Sequence, residues 1–206
     1  VTEIKGKNRI ESITVAQVDE NRRPIPGTEM EFECDTLLLS VGLIPENELS
    51  KSAGIKLDPV TGGPVVNESM ETSIKGIFAC GNVVHVHDLV DFVTEESRRA
   101  GRSAANYVKN QLKHGDKTIL TKPGKGVRYI VPQSVTVDNL DNNLELFMRV
   151  DNIYKNKKLV VKMDDYVLKT INKKRLTPGE MEHIQIDFKD IKKMDTSFIT
   201  VEVEGI

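Results

Sequence analysis

Tryptophan is absent from the 206-residue chain, cysteine occurs twice, and aromatic residues make up only 5%. Two cysteines as far apart as Cys34 and Cys80 make no disulfide framework, and no close Cys-x-x-Cys pair offers a redox dithiol. The compartment expected for such usage is a reducing cytoplasm. No apolar run approaches the ~20 residues that a membrane span requires. No charged-then-apolar-then-small leader is visible. A net charge of -2 leaves no electrostatic footprint for nucleic acid or an anionic membrane. Also missing is any Gly-x-Gly-x-x-Gly between a strand and a helix. Gly62-Gly63 and Gly124-Lys125-Gly126 are too short and lie in turn contexts, so no loop here is built to cradle a dinucleotide pyrophosphate. Strand-like residues begin at once, with Thr2, Ile4 and Ile10. The expectation is therefore a chain that enters in the middle of a fold, as the C-terminal part of a longer protein.

What is present fits an ordinary globular protein, with 38% hydrophobic and 29% charged residues, in one large or two small domains. The centre of the chain is the stretch 72–101. Ile77-Phe78-Ala79-Cys80 is apolar and bracketed by Gly76 and Gly81, which predicts a strand buried on both faces. Gly81 permits close backbone approach, and Asn82 then falls at the carboxyl edge of a sheet, where ligands bind in open α/β folds. A loop follows, then a helix. Val93, Ser97, Ala100, Ala104, Tyr107, Val108 and Leu112 keep helical spacing, with Glu95 and Glu96 early and Lys109 and Lys113 late, in accord with the helix dipole. The N–H groups of its first turn point into the space beyond Asn82. Asp91 fits either an N-cap or a group facing that space.

Upstream, residues 9–18 and 28–34 alternate as strands around a turn at 19–24. Residues 35–42 read as a fully apolar strand closed by Val41-Gly42. Residues 46–53 suit a short helix capped by Gly54. His85-x-His87-Asp88 has metal-ligating side chains, but adjacent loop residues do not complete a site, and His114 and His183 are too remote to assign; no metal site is expected. By the residues alone these histidines read as ordinary surface residues. Cys34 and Cys80 read as structural, Cys80 as a small hydrophobe in its strand.

Residues 121–126 read as a linker. Beyond it, 127–131, 144–150, 158–163, 166–171, 181–188 and 197–203 alternate or run apolar between turns. Six short strands in ~80 residues predict a small antiparallel β-sandwich. Without a cysteine pair or tryptophan it is no true immunoglobulin domain, and it shows no catalytic cluster.

Thr72-Ser73-Ile74-Lys75-Gly76-Ile77-Phe78-Ala79-Cys80-Gly81-Asn82 resembles the closing FAD-binding motif of the two-dinucleotide-fold flavoproteins, the thioredoxin-reductase-like and glutathione-reductase-like oxidoreductases. The family has Asp where this chain has Asn82. Asn keeps the acceptor oxygen and loses the charge. The longer run Gly81-Asn82-Val83-Val84-His85-Val86-His87-Asp88-Leu89-Val90-Asp91 resembles the branch of FAD-dependent oxidoreductases associated with anaerobic glycerol-3-phosphate dehydrogenases.

The resemblance covers roughly residues 1–115. It implies a truncated FAD/NAD(P)-binding region over 1–120; with the linker 121–126 and the β-sandwich over 127–206 read from the residues, the expected architecture is α/β plus all-β. The same resemblance gives His85 and His87 a place lining a flavin or substrate pocket. It also implies an enzyme that moves hydride between NAD or NADP and FAD. Val41, Gly42, Gly81, Asn82, Asp91, Val93 and Thr94 would lie at the FAD, with no catalytic residue in this chain, which alone would be inactive. A partner dehydrogenase subunit or a second copy is the expected company. The competing reading is a non-enzymatic interaction module built on the β domain, which leaves residues 72–82 unexplained.

Overall fold

A computed structural model of the chain describes residues 1–40, 42–115, 117–140, 143–187, 189, 191 and 196–205. The chain divides into two compact units, Val1–Gly42 and Leu43–Ile206. The first is a three-stranded antiparallel meander of β1 (Glu3–Lys5), β2 (Ser12–Val15) and β3 (Met30–Glu33). Its register follows the apolar alternation: Ile4 lies opposite Ile13, and Ile13 opposite Phe32. The turn expected at 19–24 forms where the Asp19 carboxylate accepts the N–H groups of Asn21 and Arg23, at 2.9 and 2.8 Å. Residues 35–40 do not form the expected buried strand. No described strand pairs with them, and a strand exists only through its ladder; Leu38 and Leu39 are therefore 89% and 68% exposed.

The second unit begins with α1 (Glu48–Ser52), followed by Gly54 in the left-handed region. Its long helix is α2 (Val90–Val108). The rest is β: β4 (Thr118–Pro123), β5 (Val127–Val131), β6 (Ser134–Thr136), β7 (Asn143–Val150), β8 (Tyr154–Met163), β9 (Tyr166–Leu176), β10 (Glu182–Asp187) and β11 (Phe198–Gly205). One sheet has the order β10-β7-β5 and the other β6-β4-β11-β8-β9. Leu144, Leu146, Met148 and Val150 of β7 join Ile184 and Ile186 of β10 in one cluster with Leu159, Val161 and Met163 of β8 and Ile199, Val201 and Val203 of β11. The two sheets thus share a single hydrophobic core. Each fully buried aliphatic side chain in it stabilises the fold by about 1.5–3 kcal/mol before entropy is charged. The pairing is not wholly antiparallel, because β11 runs parallel to β4.

Two expected boundaries need correction. Residues 121–123 are the end of β4, not linker. Nor is there a division near residue 120. Val66, Met70, Val84 and Ala100 pack in one cluster with Tyr129 and Val131 of β5. Val66 and Gln133 exchange hydrogen bonds through N–H···Oε1 and N–H···O=C, both 3.0 Å. The buried Glu68 carboxylate accepts the Thr136 N–H at 2.6 Å. The break lies instead at residue 42. Residues 77–80 are a second correction of type: only Glu71 and Phe78 form an isolated antiparallel bridge, and Ile77 is 37% exposed. The parallel sheet that would bury this segment on both faces is not present among the described residues. No helix among them is long and apolar enough to cross a membrane.

Leu146 is fully buried at the centre of the shared core. Leu146→Ala is expected to lower unfolding stability by about 3 kcal/mol, within the range for cavity-forming core substitutions, with little change in the urea m-value. Urea denaturation followed by far-UV circular dichroism measures both.

Candidate functional site

The segment between Cys80 and α2 is a tight loop whose backbone is held from several sides. Gly81 has φ +73° and opens a single 3-10 turn, Gly81–Val83. Gly63 packs directly under this loop; a Cβ there would stand 1.9 Å from the Val84 carbonyl oxygen, so only glycine fits. Asn47, buried at the start of α1, donates from Nδ2 to the carbonyls of Gly62 and Val83, both at 2.9 Å. Asn82 accepts the His87 N–H on Oδ1 at 3.1 Å. Farther on, the Arg149 guanidinium donates to the Val86 carbonyl at 3.0 Å and pairs with Asp88. Asp88 in turn accepts the Met181 N–H at 2.5 Å.

Beneath the loop lies a buried acid. Glu96 sits on the inward stripe of α2 with Ala100 and Ser103. One of its oxygens accepts the Gly81 N–H at 2.5 Å; the other lies 2.8 Å from His85 Nε2 and 3.3 Å from His87 Nε2. All three side chains are buried. Burial alone would push the Glu96 carboxyl up, but the contacts from His85 and His87 outweigh it and bring it down to about 2. Burial pushes His85 below its ordinary value despite the carboxylate beside it. The state these directions describe is an ionised Glu96 accepting an N–H hydrogen bond from a neutral His85. Phe147 of β7 walls both imidazoles, with ring centroids 6.0 and 5.8 Å away, and Tyr129 of β5 lies 5.9 Å from His85. His183 of β10 stacks on Phe147 at 4.6 Å.

The residues predicted to face a cofactor fall into distinct groups. Gly81, Asn82, Asp91, Val93 and Thr94 belong to the loop and the first turns of α2. Val93 Cγ1 lies 3.5 Å from where a Gly81 Cβ would be. Asn82, Asp91 and Thr94 are exposed. Asp91 is not the N-cap: that position is Leu89, which has no capping side chain, and Asp91 lies inside the first turn. Thr94 donates its hydroxyl proton back to the Val90 carbonyl at 2.9 Å. Gly42 is exposed and ends the first unit, while Val41 lies outside the described residues.

His85 and His87 are not surface histidines. Cys34 and Cys80 are free thiols. Sequence reasoning missed Glu96, Asn47, Phe147 and Arg149. A signal for Glu96 existed: it shares the helical stripe of Phe92, Ala100 and Ser103. The stripe chosen from Val93, Ser97 and Val108 is rotated from the buried face, since Ser97 is exposed and Val108 is 79% exposed.

The acid response follows from these shifts. His85, lowered in the folded state, contributes stability that is full above its unfolded value near 6.5 and falls below it. Glu96, lowered from 4.5 to about 2, contributes stability that is full above 4.5 and is lost as pH falls through that window. A shift of that size corresponds to about 3 kcal/mol. The expected result is a denaturation midpoint that declines below pH 6.5 and more steeply below 4.5. Glu96→Gln should lower stability at pH 7 and flatten the lower part of the decline. Urea titrations from pH 7 to 3 measure both.

A family model described as pyridine nucleotide-disulphide oxidoreductase matches residues 1–106, just over half of the chain. Among curated proteins, the chain is similar to a thioredoxin reductase of Mycoplasmopsis pulmonis, 32% identical over 113 residues, covering 55% of this chain and 33% of that protein. It is similar to a ferredoxin–NADP reductase of Picrophilus torridus, 30% identical over 86 residues, covering 42% and 24%. A third relative is an NADH oxidase of Methanocaldococcus jannaschii, 38% identical over 65 residues, covering 32% and 13%. The matched region thus spans a third or less of each of these relatives. With the match running through the Gly81 loop and most of α2, the chain belongs to the pyridine nucleotide-disulphide oxidoreductases, a family of flavin-dependent NAD(P) oxidoreductases.

Proposed function

We propose that this chain supplies the ribityl and pyrimidine side of the FAD site in a flavin-dependent oxidoreductase that exchanges hydride with NAD or NADP. The observation that carries the reading is the uncapped, exposed start of α2 packed against the Gly81–Asn82 turn. First-turn N–H groups without a capping side chain are left for an outside acceptor, and the helix dipole favours negative charge there. When bound, FAD supplies the hydride-accepting chemistry, and the protein contributes binding, orientation and field. The residues present fit that task. Asn82 is exposed and keeps one lone pair and its amide hydrogens beyond the bond to His87. The Gly81 N–H is engaged by Glu96, so it acts on the turn and not on a ligand. Val93 and Thr94 line the helix start, whereas Val41 and Gly42 are assigned to the pyrophosphate by the family resemblance alone.

Because no glycine-rich phosphate loop occurs in these 206 residues, the pyrophosphate cradles of the proposed enzyme come from other sequence, and this chain acts as its C-terminal part. The finer placement beside anaerobic glycerol-3-phosphate dehydrogenases, with a dehydrogenase subunit or a second copy as partner, rests on the run from Gly81 to Asp91 and on no contact within the chain. The test is flavin retention by the protein purified from its natural source. Asn82→Leu is expected to raise the FAD dissociation constant about fivefold, the worth of one hydrogen bond of about 1 kcal/mol, whereas Asn82→Asp should retain FAD. Unchanged retention in Asn82→Leu would remove the assigned contact. A colourless natural protein with no flavin would remove the reading itself.

A further inference from the structure

The pair of buried histidines beside Glu96 has donor capacity that the fold does not use. His85 Nδ1 and His87 Nδ1 are buried without a hydrogen-bond partner, and His87 Nε2 has only a poorly aligned contact to the Glu96 carboxylate at 3.3 Å. Buried polar side-chain atoms are nearly always partnered, because an unpaired one costs about 1–3 kcal/mol, and each exception calls for a cause. One imidazole nitrogen of His85, one of His87 and one carboxylate oxygen of Glu96 all lie within 4.8 Å of one another. They come from a loop and from the helix that packs on it, so they converge through tertiary structure and not through adjacency. Glu96 is further oriented by the Gly81 N–H on its second oxygen, the kind of outer contact that fixes a carboxylate ligand. Phe147 and Tyr129 hold the imidazole rings from the β side. Of the neighbouring cations, Arg149 is paired with Asp88 and Arg99 with Glu145.

We propose that His85, His87 and Glu96 form a binding site for a divalent cation of the zinc class. Two imidazole nitrogens and one carboxylate oxygen suit zinc, cobalt or ferrous iron, whereas calcium and magnesium prefer all-oxygen sets. Three protein donors leave the remaining coordination to water. The ion clips the loop after Gly81 to α2 and so acts on the shape of that turn. The site stands on these side chains alone and does not depend on the flavin reading.

The test uses the protein from its natural source, without a histidine tag, stripped with a chelator and titrated with Co²⁺. The expected result is saturation at one equivalent, with paramagnetically shifted NMR resonances from two imidazoles assigned to His85 and His87, and a raised melting temperature. His87→Gln should weaken binding at least a hundredfold, and His114→Gln should leave it unchanged. Failure of Co²⁺ to saturate at one equivalent would overturn the proposal. So would shifts on His114 or His183 in place of His85 and His87, or full binding in His87→Gln. Because the wild-type spectrum decides alone, a variant that fails to fold does not blunt the test.

Discussion

A carboxylate taken out of water must find donors for its oxygens, and Glu96 does so by drawing the loop at Gly81 and His85 onto α2. The Gly81 N–H, the His85 imidazole and the neighbouring His87 all converge on one acid. An isolated buried charge would cost several kcal/mol, so the loop conformation and the ionised acid stand or fall together. The helix start is free of side-chain caps, yet it is not loosely placed. Its position relative to the Gly81–Asn82 turn is set one turn further along, by Glu96. The surface that faces outward is thereby held by an acid that never reaches it.

Strand β7 is the second organising feature, because both of its faces are used. Leu144, Leu146, Met148 and Val150 point into the core shared by the two sheets. The alternate residues point the other way: Glu145 pairs with Arg99 of α2, Phe147 walls the two histidines, and Arg149 holds Val86 and Asp88. The β region is therefore not an appendage behind a linker. It supplies one wall of the histidine site and the anchor of the loop leading into α2. Two-residue periodicity makes this dual role possible, since neighbouring side chains on a strand face opposite sides.

Much of this was legible in the sequence, unevenly. All six strands expected between 127 and 203 form, with ends shifted by a few residues, because alternating apolar residues bounded by turns leave little choice of face. The helix from Val90 and the short helix before Gly54 were legible from spacing and punctuation. The strands expected at 35–42 and 77–80 do not form among the described residues, though both segments are apolar. Apolarity states that a segment wants cover; it does not say which strand will pair with it. Strands β4 and β6 were overlooked because Thr121-Lys122-Pro123 carries turn-like residues, and the residues paired with β4 lie 14 to 18 positions away in β6 and 78 away in β11.

By itself, the sequence determined the local alphabet: the turns, the helix, the alternating strands of the β region, and the Gly81–Asn82 motif that marks the family. Tertiary structure alone decided that His85 and His87 are buried, that Glu96 is their partner, and that Phe147 and Tyr129 enclose them. The physical reason is range. Periodicity and turn chemistry act over a few residues and can be read along the chain. The state of a titratable side chain depends on what packs over it, and here that cover comes from residues 44 to 62 positions further on.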